Sequence, residues 1–136
     1  QRAFLQGASL EGASLRGAFL QRASLEGASL EGASLQGAFL QGASLQRASL
    51  RGASLQGAII RDGIAVQRSP LQIFGLTYPV MIWDAHMEIG CEFHALAQWA
   101  KFDAKQIGAM DGKRGANFWK AHGDALLALA ASDRRK

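Results

Sequence analysis

Six side chains could bind a metal ion or take part in catalysis. Five lie between positions 84 and 94 and one lies further along the chain: Asp84, His86, Glu88, Cys91, His94 and His122. Imidazole, thiolate and carboxylate are the ligands that zinc prefers in proteins. A bend at Gly90 would bring Cys91 and the two nearest histidines together. A thiol beside an imidazole is also the pair that a cysteine nucleophile requires. The pattern therefore raises two hypotheses, a zinc site and a thiol-dependent enzyme.

Neither hypothesis rests on a complete motif. The spacing His-x4-Cys-x2-His is not a standard zinc pattern, a second cysteine pair is absent, and no oxyanion-stabilising group is identifiable. The simpler interpretation is that Cys91 is buried as a small apolar residue and that the histidines bond backbone groups. We therefore predict no catalytic residues, metal or cofactor. The alternative is an enzyme centred on Cys91 and His94, with His86 and His122 as further candidate metal ligands.

Composition limits the function classes further. The 136 residues carry a net charge of +4, with no basic run except positions 134–136, so a nucleic-acid partner is not expected. The single cysteine excludes an internal disulfide and favours a reducing compartment. No apolar run approaches the roughly 18–20 residues of a membrane span, and we expect no membrane partner.

A five-residue phrase occupies residues 3–62. Alanine stands at every fifth place from Ala3 to Ala58, and the third place holds leucine up to Leu55 and then Ile60. A helix is excluded because a period of five moves each leucine about 140° around the axis. A flat strand is excluded because successive leucines would point to opposite faces. The chain must bend after every repeat, which turns each leucine inward.

This phrase resembles that of the pentapeptide-repeat family: alanine, then Asp or Asn, then leucine, then two variable residues. The resemblance implies a right-handed quadrilateral parallel β-helix with four repeats per coil, so the repeats would form about three coils. Glycine at the fifth place suits the positive φ of a type II turn. Arg2, Arg22 and Arg47 replace that glycine, and steric hindrance predicts that their turns avoid positive φ.

Residues twenty apart would form columns along the stacked coils. Phe19, Phe39 and Ile59, the aromatic strip, share one outward column, whereas equivalent places elsewhere are mostly serine. An exposed aromatic ladder predicts a docking surface for the C-terminal segment or another chain; the alternative is ordinary scattered exposure. The first coil, residues 1–20, would leave an open parallel edge. That edge predicts pairing with another copy, a missing part of the chain or a larger assembly.

A second segment begins near Pro70, which divides the chain into domains 1–68 and 69–136. We predict a small α+β cap with two or three short strands followed by three helices, at 71–76, 79–83, 87–89, 95–102, 103–110 and 115–131. Asp103 and Gln106 have the spacing of a capping box. The aromatic residues of the helices predict a small core, with a ligand-binding aromatic cage as the alternative.

Residues 71–130 also resemble a module of uncharacterised bacteriophage and prophage proteins, through Ile89, Gly90, Cys91, His94, Trp99, Phe102, Met110, Phe118 and Trp119. That resemblance implies a virion component or a phage-encoded accessory protein. We therefore expect a non-enzymatic structural or protein-interaction module, in the bacterial cytoplasm or the virion. Gyrase-protecting DNA mimics of the repeat family form a third option. They need an acidic surface, and this array is slightly basic.

Overall fold

The computed structural model of the protein describes residues 3–133. The chain divides into two compact units, Gln1–Phe74 and Gly75–Lys136. The first unit ends later than the boundary predicted after residue 68, so residues 69–74 belong with the repeats. The predictions that involve Arg2 and the first two residues of the open edge lie outside the described residues, as does the basic run at 134–136.

Parallel β-bridges join residues twenty positions apart throughout the repeats. Phe4 bridges Ser24, which bridges Ser44, and the same ladder recurs on each of the other three sets of repeats. Backbone bonds accompany every step; the Ser24 N–H, for example, donates to the Ala3 carbonyl at 2.9 Å. Four repeats therefore make one coil, and residues 3–62 stack as three.

The residues at the first and third positions of each repeat form the core of the array. In the middle coil, Leu25, Leu30 and Leu35 are fully buried, as is Ala33. Each buried leucine contributes about 2 kcal/mol to folding. Alanine beside it keeps the coil narrow, because a larger side chain would not fit next to the central leucines.

The turns of the coil all require a left-handed residue. Gly27 has φ 68°, as expected, but Arg22 and Arg47 have φ 62° and 59°. The prediction that these arginines avoid positive φ is therefore wrong. The ladder explains why: the Arg22 N–H donates to Gln41 O at 2.9 Å, as the Gly27 N–H donates to Gln46 O at 3.0 Å. The coil imposes the turn, and an arginine there tolerates strain of about 1–2 kcal/mol.

Replacing a strained arginine by glycine should stabilise the array. We expect Arg22→Gly to raise the free energy of unfolding by about 0.5–1 kcal/mol, because relief of strain exceeds the extra entropy of glycine in the unfolded chain. Urea denaturation measures the change. The matched control is Gly27→Arg, since nothing lies within 4 Å of a Cβ built there; it should destabilise the array. A loss of stability in Arg22→Gly would contradict this account.

The last coil is closed in part by the chain that follows it. Strand β1 (Ala58–Ile59) pairs antiparallel with β2 (Ala65–Val66) across a short turn. The Gln72 side chain, in β3 (Leu71–Ile73), accepts from the Leu50 N–H at 2.7 Å and donates to the Ala48 carbonyl at 2.5 Å. A fourth coil would make the same two bonds with its backbone. One glutamine thus replaces part of a missing coil.

The second unit contains an antiparallel hairpin series followed by helices. Strands β4 (Val80–Ile82), β5 (His86–Ile89) and β6 (Glu92–Ala95) pair in order. Including β3, four strands follow Pro70, so the prediction of two or three is wrong. Strand β6 was missed because it lies almost entirely between the strand predicted at 87–89 and the helix predicted from residue 95.

Two helices complete the second unit. Helix α1 (Leu96–Trp99) is shorter than predicted, and α2 (Ala104–Ser132) joins the second and third predicted helices. Non-helical angles at Asp111 and Gly112 confirm the predicted interruption between them, and the capping box of Asp103 with Gln106 is present. None of the described helices is long and apolar enough to span a bilayer.

Candidate functional site

The β5–β6 hairpin decides the geometry of the histidine and cysteine cluster. His86 pairs with Ala95, and Met87 pairs with His94. Because side chains alternate along a strand, His94 shares a face with Met87, and His86 lies on the opposite face. Cys91 is exposed in the two-residue turn between the strands, where Gly90 has φ 58°. The bend therefore does not bring His86, Cys91 and His94 together.

Each candidate histidine has its own surroundings. The ring of His86 stacks on Phe93 with centroids 5.0 Å apart, and His122 lies against Phe118. His94 Nε2 lies 2.9 Å from Glu92 Oε1. Within residues 3–133, no three His, Cys, Asp or Glu side chains are placed to hold one metal ion. The simpler interpretation also needs correction, because Cys91 is exposed and the His94 ring contacts the Glu92 carboxylate.

The aromatic strip is a continuous ladder in the structure. The rings of Phe19 and Phe39 stack with centroids 5.1 Å apart and planes 8° apart, and Phe39 bridges Ile59. Phe19 is 76% exposed. Such stacking differs from scattered exposure, and it gives one side of the array an apolar, flat surface. Its role as a docking surface stays a prediction.

The first coil presents a second unusual surface. Its inner residues, such as Leu5, Leu10 and Leu15, are half-buried, whereas the corresponding leucines one coil later are fully buried. In the described part of the chain, the N–H groups of Ser9 and Ser14 have no acceptor, although the equivalent groups one coil later donate to Ala8 and Ala13. We call this surface the first-coil edge. It combines exposed apolar side chains with unpaired backbone donors.

The family comparison agrees with this geometry. A family model for pentapeptide repeats, in eight copies, matches residues 1–32 and 23–62. Residues 1–62, less than half of the chain, are thus similar in sequence to the repeats of this family. Arrays of this family are right-handed β-helices, and their proteins are generally non-enzymatic structural or interaction modules. The match stops before the second unit, so the resemblance of residues 71–130 to phage modules stays a prediction.

Several solved pentapeptide-repeat proteins resemble the array. HetL from the cyanobacterium Nostoc, involved in heterocyst differentiation regulation, is 42% identical over 46% of this chain and 30% of its own, with a TM-score of 0.45. Rfr23 from the cyanobacterium Cyanothece is 48% identical over 37% of this chain and 34% of its own, with a TM-score of 0.37. A protein from the Arabidopsis thaliana thylakoid lumen is 37% identical over 42% of this chain and 39% of its own, with a TM-score of 0.41.

The chain spans less than two fifths of the length of each of these three proteins. No curated protein matches it.

Proposed function

We propose that the protein is a non-enzymatic protein-interaction module and that the first-coil edge docks a second copy of the chain. The observation that carries the proposal is the contrast between the half-buried leucines of the first coil and the fully buried leucines of the second. A parallel edge with exposed core side chains gains most from another β edge, which supplies both apolar cover and hydrogen-bond acceptors.

A second copy fits this edge because it offers the same groups in the same order. Two first coils related by a two-fold axis would meet antiparallel, so that each serine N–H faces a carbonyl of the other chain. Charge opposes the contact only weakly, since residues 1–20 carry one acid, Glu11, and two bases, Arg2 and Arg16, a net charge of +1. The proposed interface therefore has a low charge and an apolar centre.

Aromatic side chains would anchor the rim of this contact. Phe4 and Phe19, both in the first coil, are 67% and 76% exposed. Phe19 already stacks on Phe39 at a centroid distance of 5.1 Å, close to the spacing of about 4.8 Å between paired strands. A docked coil would place its own side chains at the same spacing on the free side of Phe19.

Self-association tests the proposal. We expect light scattering and sedimentation to show a concentration-dependent dimer. Leu10→Lys should yield a folded monomer: the lysine stem can reach water through the open end, but two such lysines would repel each other in the dimer. Phe19→Ser, which restores the commonest residue of that place, should weaken association by about tenfold. Ser54→Lys, in the exposed part of the third coil, is the control. A strict monomer at about 100 μM would reject the second copy as partner.

The phage resemblance extends the proposal to a virion component or a phage-encoded accessory protein, in the bacterial cytoplasm or the virion. Mass spectrometry of purified virions would test that placement. A metal site of His86, Cys91 and His94 is not proposed, because the two histidines lie on opposite faces of the hairpin. DNA mimicry is not proposed, because the array is slightly basic.

A further inference from the structure

The second unit contains a cavity of about 140 Å³ between the β5–β6 turn and helix α2. We propose that this cavity is a binding site for a compact, uncharged, mainly apolar molecule about the size of one substituted aromatic ring. The proposal concerns the second unit alone and does not depend on the pairing of first coils.

The inner wall of the cavity is apolar. Ile89, Trp99, Ile107 and Phe118 line it, and each of these residues is at most 8% exposed. They come from one strand and both helices, so the wall forms only when the unit is folded. Apolar cavities of about 150 Å³ in other proteins stay dry and accept benzene. The size and chemistry of this wall therefore suit one ring.

Two contacts hold the wall in place and prevent collapse. The Trp99 indole N–H donates to the Met87 carbonyl at 2.8 Å, which fixes the ring against β5. Trp119, also in the wall, lies 5.2 Å from Trp99 and crosses Gly123 so closely that a Cβ there would be 2.7 Å from its ring. Neither indole can turn into the space without breaking a packed contact, so the cavity is a preformed site.

The charged groups at the mouth are already engaged, which sets the charge of the ligand. Asp111 accepts a hydrogen bond from the Tyr78 hydroxyl, and Glu92 lies 2.9 Å from His94. The bond to Asp111 is also the main cause that raises the pKa of Tyr78 above its ordinary value, at which the hydroxyl is already protonated at neutral pH. The Arg114 guanidinium lies 5.3 Å from the Tyr78 ring. A charged ligand would have to displace one of these partners, whereas a neutral one leaves them intact.

The experiment titrates toluene, as the probe, into the full chain. Binding is followed by NMR of the tryptophan indole groups. Trp99 and Trp119 line the cavity and Trp83 does not, so one spectrum contains both reporters and an internal control. We expect saturable shifts of the first two, with a dissociation constant of about 0.1–1 mM. Toluene should also slow maleimide labelling of Cys91, which lies at the mouth and is the only cysteine.

Matched variants complete the test. Ile107→Trp should fill the space and weaken toluene binding at least tenfold. Leu129→Trp puts the same side chain at a 40%-exposed position of the same helix and should bind as the wild type does. Benzoate and benzyltrimethylammonium should bind at least tenfold more weakly than toluene. No saturable shift, equal binding by Ile107→Trp, or shifts confined to Trp83 would show a packing void only. Tighter binding of either ion would overturn the uncharged class.

Discussion

Leu30→Asp is expected to unfold the repeat array. Leu30 lies in the middle coil, is fully buried, and has coils on both sides. The substitution removes about 2–3 kcal/mol of apolar burial and leaves a carboxylate with no partner on an axis of leucine and alanine. The total cost of at least about 4 kcal/mol is comparable to the whole stability of a small domain. Hydrogen exchange of the repeat peptides should show lost protection.

The control for Leu30→Asp has to face water and lack a charged neighbour. Ser29 is unsuitable, because its hydroxyl donates to Glu11 Oε1 at 3.1 Å and a carboxylate there would repel Glu11. Ser54 is exposed at the equivalent place of the third coil, so Ser54→Asp should change the free energy of unfolding by less than about 0.5 kcal/mol. Equal damage from both variants would show that the inward and outward assignment is wrong.

Trp99→Ala is expected to have the largest effect in the second unit, at about 3–5 kcal/mol. Trp99 is 2% exposed, packs edge to face with Phe102 and His94, lies tilted against Trp119, and donates to the Met87 carbonyl. Removing it opens a large void and deletes a buried hydrogen bond to the Met87 carbonyl. The remaining tryptophans, Trp83 and Trp119, both lie after Phe74, so their fluorescence reports this unit without contribution from the repeats.

Trp99→Phe separates the two contributions. It keeps much of the ring volume and removes the indole N–H, so we expect a loss of about 1–3 kcal/mol from the lost hydrogen bond to the Met87 carbonyl and the smaller ring. Lys101→Ala, on an exposed residue nearby in sequence, should be close to neutral. A fluorescence transition for Trp99→Ala that matches the wild type would contradict the central role of this residue.

The periodic features of this protein could be predicted from the sequence, because the same residue type recurs at the same position of each five-residue repeat. Five-residue spacing excludes a helix and a flat strand, and the columns twenty apart appear as bridges from Phe19 to Phe39 and Ile59. The capping box of Asp103 and Gln106 was equally readable, since both partners lie within one turn. In each case the interaction is local or is repeated many times along the chain.

The positions of individual side chains outside a repeated pattern could not be predicted from the sequence. The spacing of His86, Cys91 and His94 was compatible with convergence, but the register of β5 against β6 puts the histidines on opposite faces, and one residue of slippage would have reversed the result. Similarly, steric preference alone predicted the wrong turn at Arg22, because the ladder of hydrogen bonds across the coils outweighs the strain of one residue.

The amino-acid order alone thus establishes the coil, its inward leucines and the aromatic strip, since a pattern repeated twelve times admits one way to bury its apolar places. Tertiary structure alone decides the exposure of Cys91 and the cavity beside Trp99. Those features depend on which elements meet at a distance of many residues, and burial at such contacts is a property of the assembled fold rather than of any short stretch of sequence.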